Sequence, residues 1–453
     1  MLNEMIGPSK AELKARTADL ANCFDSFRQR QTVYGGIITA DDKRTLRDKL
    51  NALSVELDKY LAVSYGKKHE NAKEFEQWRA SHLPLHWFAE FYGIMRDGGF
   101  DVVIGNPPFV ENTTRNVQYS LVSSEYHTIM CGNLYAYVAE RCFKLCTQNN
   151  GNFSFIMPSA SLCTPRMTPL FDGIISRFKL TMISIWDERP SKLFDGVDQQ
   201  LSIYVCMSNR QINLPIFITC MQHWSASERS HIFSTLYYIA MNNDMREASV
   251  VPKFQNHIEL SILEKIRTKV LHNNRQQTQK NKSKLYYKNA GGRYWRLIKS
   301  FPTFFQSERG ASQTSTEKFK YVDSDIIKLY VGILSANIFY WYWRIVSNCR
   351  HLTERELDNF PIMPTNITRN YRLTISKLTD LYEKDIKKKA VRLTTYNNKS
   401  GRIIQDSFKI YLSKGIIDKI DTQISKIYKL NDEELDFIIN YDIKYRMGGT
   451  DEE

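Results

Sequence analysis

Asn106, Pro107, Pro108 and Phe109 follow directly on Val102-Val103-Ile104-Gly105. Together they suit one task, the handling of a planar amine. An exocyclic amine on a nucleobase is a poor nucleophile, because the ring delocalises its lone pair. A side-chain amide oxygen and a backbone carbonyl can accept its two hydrogens and make that lone pair available. Two prolines fix the carbonyl and bring no competing N–H. An aromatic ring beside them offers a face for stacking. The plain alternative is a strand terminated by proline, with no chemistry.

The element that must position these residues is the short strand before them. Val102, Val103 and Ile104 form a β-branched run without alternation, the pattern of a strand buried on both faces of a parallel sheet. Gly105 and the prolines stop it. Asn106 is thereby placed at the C-terminal edge of a sheet, where open α/β folds put their ligands.

In this setting Asn-Pro-Pro-Phe resembles motif IV of the amino-group DNA methyltransferases, many of which carry Tyr in the fourth place. The wider run from His86-Trp87-Phe88-Ala89-Glu90-Phe91 through Val110 resembles the large adenine-N6 methylases of type IIG restriction–modification systems. The resemblance implies a site-specific DNA methyltransferase of restriction–modification or phage-defence type. It would move a methyl group from S-adenosylmethionine to the N6 amine of a flipped adenine in double-stranded DNA. Asn106, Pro107, Pro108 and Phe109 would be its catalytic residues. It also implies a further aromatic near motif VIII that holds the base, for which Phe194 is the candidate. A core role for Phe194 competes with that reading.

The 453 residues are enough for two to four domains. Sixty-two Lys and Arg against 49 Asp and Glu leave a net charge of +13, which favours a polyanionic partner. The eight cysteines are scattered and no His/Cys set has the spacing of a zinc site. Reduced thiols in a cytoplasmic protein are the simplest account. His82 and His86 are four apart, but a metal would need a further ligand and none is evident. No apolar run reaches the roughly 18 residues of a membrane span, and Met1-Leu2-Asn3-Glu4 does not open a signal peptide.

Taken in order, residues 1–79 predict a helical arm. Leu46, Leu50, Leu53, Leu57, Tyr60 and Leu61 form one apolar stripe, an earlier helix carries Leu13, Leu20, Phe24 and Phe27, Gly35-Gly36 separates the two, and Thr39 with Asp42 offers a capping box. Residues 80–250 predict the catalytic half, equivalent by resemblance to motifs IV to VIII. The polar loop Glu111–Arg115 follows the motif, either closing over an extruded base or lying plain in solvent. A strand at Phe153–Pro158, helices around it, and two strands at Leu180–Trp186 and Leu201–Met207 predict a parallel sheet with a hairpin at its end.

Residues 251–365 predict a target-recognition, DNA-binding domain. Eleven Lys and Arg lie between Lys265 and Lys299, and no Asp or Glu occurs from 265 to 307. Tyr286, Tyr287, Tyr294 and Trp295 are interleaved. Cations with planar side chains suit phosphate contact and stacking, which nominates Lys280, Lys282, Lys284, Lys288, Arg293 and Arg296. A solvated face is the plain alternative. An aromatic helix is expected over Ile333–Ile345, and residues 366–453 predict a helical C-terminal region.

The fold expected is thus α/β: a partial Rossmann-like methyltransferase sheet, its second half ending in a β-hairpin. A helical hairpin precedes it, and an α+β target-recognition domain and a helical C-terminus follow. The cofactor half of the family is missing from the pattern. No two of the 20 glycines are separated by one residue, so no glycine-rich G-x-G turn exists, and only helices are expected before residue 100. The expectation is a chain inactive alone, whose cofactor site comes from a separate polypeptide or from a lost upstream region. Two other readings stay open: a DNA-binding specificity subunit without catalysis, and a protein-glutamine methyltransferase, whose enzymes share Asn-Pro-Pro-Tyr.

Overall fold

The computed structural model describes residues 8–32, 38–113, 115–116, 121, 126–208, 215–247, 250–267, 281–292, 294–310, 314–362, 367–398 and 400–447. They divide into two compact units. One draws on residues 1–157, 166–181 and 203–214, the other on 158–165, 182–202 and 215–453.

The first unit opens with the predicted arm. Helices Pro8–Thr32 and Ala40–Ser64 pack together, and Thr39 and Asp42 cap the second reciprocally. Gly35-Gly36 lies outside the described residues. The apolar stripe does what its spacing requires. Leu53 is buried with Leu20, Ala89 and Tyr92, and Leu46, Leu50, Leu57 and Tyr60 pack around them. Burial of one such leucine contributes about 2 kcal/mol. Ala89 and Tyr92 belong to the short helices Trp87–Glu90 and Tyr92–Arg96, so the arm grips the segment that leads into the motif strand. A third helix, Ala72–His82, seats Phe75 and Trp78 on Ala62.

The motif strand is β1, Val102–Gly105. It runs parallel to β2, Asn152–Pro158, with Val102 opposite Asn152 and Gly105 opposite Phe155. Most of β4, Leu201–Met207, lies on the far side of β2. β1 is therefore an edge strand. Val102 is 59% exposed and Ile104 78% exposed, which corrects the expectation of burial on both faces. Among the described residues no strand pairs with the outer edge of β1. The β-branched run records a preference for extended backbone and not, here, its burial. Helices Leu134–Leu145 and Thr168–Arg177 contribute Tyr135, Phe143, Leu170, Phe171 and Ile174 to the core.

In the second unit most of β3, Leu180–Trp186, is followed across the sheet by β5, Ile216–Gln222, and β6, Ile239–Met241. β5 and β6 are antiparallel. An antiparallel pair ends the sheet here, made from two strands that the sequence pattern had not singled out. Strands Lys282–Lys288 (β7), Ile298–Lys299 (β8) and Glu317–Asp323 (β10) form a second sheet, in the order β10-β7-β8. Strands Phe305–Ser307 (β9), Val391–Asn397 (β11) and Gly401–Ser407 (β12) form a third, in the order β11-β12-β9. The C-terminal region is thus not wholly helical. The aromatic helix is two, Ile327–Ser335 and Asn337–Val346. They part where the carboxylate of Asp421 accepts the backbone N–H groups of Asn337 and Ile338, at 3.0 and 3.1 Å, and so caps the second helix. No helix among the described residues is long and apolar enough to cross a membrane.

The approach to β1 turns on Gly98 and Gly99, at φ 109° and 116°. A methyl group on Gly99 would overlap the carbonyl oxygen of Leu145, whereas nothing lies near Gly98. Both Ala variants carry backbone strain of roughly 1–3 kcal/mol, but only Gly99→Ala adds the overlap. Thermal unfolding should show the larger loss for Gly99→Ala, and equal losses would contradict this packing.

Candidate functional site

Each part of the motif is held by its neighbours. Gly105 sits over Phe155, whose ring would come within 3.0 Å of any Cβ placed there. Pro107 is buried, Asn106 and Pro108 are exposed, and Phe109 is half-buried with its ring edge-on to Tyr135, centroids 6.5 Å apart. The chain leaving the motif is fixed at once. Val110 accepts a hydrogen bond from the Leu134 N–H at 2.9 Å, and Asn112 donates to the Gly132 carbonyl at 3.0 Å. Glu111 bridges to Asn133 and pairs with Arg166 at 3.2 Å. The start of the polar loop is therefore anchored. Thr114, a member of that loop, lies outside the described residues. Asn106 is exposed and its amide makes no hydrogen bond among the described residues, so its oxygen is not committed to a donor there.

One residue that supports this arrangement escaped the sequence reading. Glu140 is 1% exposed in the middle of helix Leu134–Leu145. Its carboxylate accepts the backbone N–H groups of His127 and Thr128 at 3.1 and 2.9 Å, the Thr128 hydroxyl at 2.7 Å and the Lys144 ammonium at 2.6 Å. It thereby fixes the turn His127–Cys131, which runs into Gly132 and Asn133, the residues that hold Asn112 and Glu111. Burial works to raise its pKa, but the bonds from Lys144, Thr128 and His127 win and hold it below 4.5. Ala136, Tyr137 and Phe143, its i−4, i−3 and i+3 neighbours, are buried with it, whereas the apolar stripe read from the sequence (Leu134, Val138, Cys142 and Leu145) lies on the other side of the helix.

The other candidates are placed as follows. Phe194 lies in the second unit and is 41% exposed, so core packing does not account for it. Lys282 and Lys284 are exposed on β7, and Lys288 is half-buried. The Lys284 ammonium sits 4.2 Å from the Phe319 ring centroid. Arg296 faces inward and leaves the phosphate-facing set: it is 5% exposed, with its guanidinium 3.5 Å from the Trp343 ring centroid and a hydrogen bond to the Gly291 carbonyl at 3.3 Å. Burial lowers its pKa to about 10. Lys280 and Arg293 lie outside the described residues. Three further cations of the stretch are tied internally: Lys299 to Glu317 at 2.6 Å, Lys265 to Glu434 at 2.6 Å and Arg267 to Glu247 at 3.3 Å.

His86 is used structurally. Its Nε2 lies 2.7 Å from the Asp58 carboxylate, which also accepts from Arg79 at 2.7 Å. His82 Nδ1 lies 2.8 Å from the Ser81 hydroxyl. Burial pushes the thiols of Cys131, Cys142, Cys146 and Cys163 up to about 11 and that of Cys206 to about 12, which leaves them poor nucleophiles.

Residues 31–189 match the model of the Eco57I restriction-modification methylase family. The matched stretch contains the arm helix Ala40–Ser64, β1, the motif and β2. No curated protein matches the chain. Among solved structures it is similar to the Type IIL restriction-modification enzyme MmeI in complex with DNA, at 10% identity over 82% of this chain and 57% of that one, TM-score 0.40. It is similar to a nuclease-deletion mutant of the Type ISP restriction-modification enzyme LlaGI in complex with a DNA substrate mimic, at 10% identity over 70% and 47%, TM-score 0.37. The DrdV–DNA complex matches at 12% identity over 34% and 19%, TM-score 0.25. The chain spans at most 57% of the length of these three structures.

Glu140 yields a pH prediction with a definite sign. Its folded pKa lies below 4.5, so its contribution is complete above pH 4.5 and is lost as pH falls through the folded value. Glu140→Gln should cost about 1–3 kcal/mol at neutral pH, the penalty for leaving buried donors poorly paired, and should remove part of the acid loss of stability. Calorimetric melting from neutral to acid pH checks this; parallel curves for the two proteins would contradict it.

Proposed function

We propose that this chain is the base-handling and DNA-contacting part of a site-specific DNA adenine-N6 methyltransferase of restriction–modification type. The observation that carries the reading is the uncommitted amide of Asn106 at the end of β1, followed by two prolines and a half-buried ring, inside the stretch that matches a restriction-modification methylase model. The Asn106 side-chain oxygen and the Pro107 carbonyl accept the two hydrogens of the adenine amine and so release its lone pair. Pro107 and Pro108 offer no N–H to compete. Phe109 supplies the stacking face, held by Tyr135. These interactions strengthen as the amine becomes tetrahedral, which is where they lower the barrier.

S-adenosylmethionine supplies the methyl group in such chemistry. The residues present do not fit it. Every described element before β1 is a helix, so no described strand precedes the motif to carry a glycine-rich turn, and the chain has no G-x-G. We therefore assign the cofactor pocket to a separate polypeptide or to another segment. Lys282, Lys284 and Lys288 remain candidates for phosphate contact, and Phe194, being exposed, for the second stacking face.

The test is transfer of tritiated methyl groups to duplex DNA, with the cofactor-binding part restored and the product identified by mass spectrometry. Asn106→Ala should abolish transfer and leave duplex affinity nearly unchanged. Phe109→Ala should slow transfer, since stacking is worth roughly 1–3 kcal/mol, while Phe109→Tyr should be nearly silent. Wild-type rates from Asn106→Ala would end the catalytic assignment. N4-methylcytosine as product would keep the mechanism and overturn the substrate. The chain alone should show no micromolar affinity for S-adenosylmethionine by calorimetry.

A further inference from the structure

The strands β11 and β12 are a ribbon, the outer pair of the three-stranded sheet β11-β12-β9, and the exposed strand of the pair is β11. They are antiparallel in unbroken register from Val391 opposite Ser407 to Asn397 opposite Gly401. β12 also pairs with β9, which leaves β11 at the sheet edge. Every residue from Val391 to Tyr396 is exposed, Leu393 by 42% and Tyr396 by 71%. Side chains alternate along a strand, so the register puts Arg392, Thr394 and Tyr396 on one face with Asp406, Ile404 and Arg402. An open concavity of about 500 Å³ is lined by Gln306, Glu308, Arg402 and Ile404.

The charge around the ribbon selects the occupant. From Lys384 to Lys409 there are eight Lys and Arg against two Asp. Both carboxylates are matched one to one, Asp385 by Lys389 at 2.5 Å and Asp406 by Arg392 at 2.9 Å. Glu308, from β9's end, accepts the backbone N–H of Arg402 at 2.8 Å. Lys384, Lys387, Lys388, Arg402 and Lys409 are exposed. Lysines and arginines on an edge strand discourage pairing with another chain, and a second copy would bring the same positive charge. A polyanion would not be repelled. The major groove of duplex DNA has the width to admit a two-stranded ribbon.

We propose that β11–β12 enters the major groove of duplex DNA. Arg402 lies against a phosphate, and Tyr396 and Thr394, on the same face, meet the groove edges; Arg392 stays paired with Asp406 and stacked over Phe304, 3.7 Å from the ring centroid. This deepens the methyltransferase reading, on which it rests, by adding a DNA contact in the C-terminal region outside residues 251–365.

The test uses the full chain and a random-sequence duplex in fluorescence anisotropy across a salt series. Arg402→Gln should lower affinity roughly threefold and reduce the log–log salt slope by about one, with the melting temperature retained. Tyr396→Ala should weaken binding while leaving the slope in place. A wild-type chain that binds duplex, with variants of unchanged affinity and slope, overturns the ribbon's role and leaves the functional reading standing. A wild-type chain that binds no duplex overturns both. A dimer by sedimentation that Tyr396→Lys disperses would assign the ribbon to a second copy and overturn the proposal.

Discussion

The chemistry assigned to Asn106 depends on a backbone that cannot relax once it leaves β1. The prolines restrict it locally, but they cannot fix where it goes next. That restraint comes from the N-terminal end of helix Leu134–Leu145, where the Leu134 N–H binds the Val110 carbonyl at 2.9 Å. The first N–H groups of a helix lack intrahelical partners, so using one to hold a neighbouring carbonyl removes no bond from the helix itself. Glu140, one and a half turns along the same helix, holds the turn that precedes it. The carboxylate is stable as an anion because four donors surround it, and that is the condition under which a buried charge ceases to be a liability. Motif, turn and helix therefore form one mechanical unit.

At the entrance to β1 the restraint is different in kind. Phe100 exchanges backbone hydrogen bonds with Leu145 and Thr147, each at 2.9 Å, and Trp87, Phe91 and Phe100 form a ring cluster with centroids 5.3 to 5.8 Å apart. The arm buries Leu53 against Ala89 and Tyr92 in the same segment. Apolar contacts thus set the position of the strand, and directional hydrogen bonds set the path of the chain beyond it. A site that must present one amide oxygen within a few tenths of an ångström needs both.

The motif strand, the arm, its Thr39–Asp42 capping box and the helices flanking β2 were legible in the sequence, because each is written in local periodicity or in capping chemistry. The surroundings were not. Val102 and Ile104 read as core residues and lie exposed, since β-branching reports extended backbone and not what covers it. The stretch from Lys265 to Lys299 lacks carboxylates in sequence but not in space: Glu247, Glu317 and Glu434 arrive from elsewhere and pair with three of its cations. Arg296 reads as a surface charge and lies over Trp343. The ribbon did carry a signal. Val391 and Leu393 alternate with Arg392 and Thr394, a period of two, but the helical stretches on either side conceal it.

The central claim is that Asn106 prepares an adenine amine for methylation at a defined DNA sequence. It is tested most directly by sequencing that reads methylated bases on genomic DNA from the source cell, with the gene intact, deleted, or carrying Asn106→Ala. The account predicts N6-methyladenine at one recognition sequence with the intact gene and its loss in both of the others. Identical methylation in all three would contradict it.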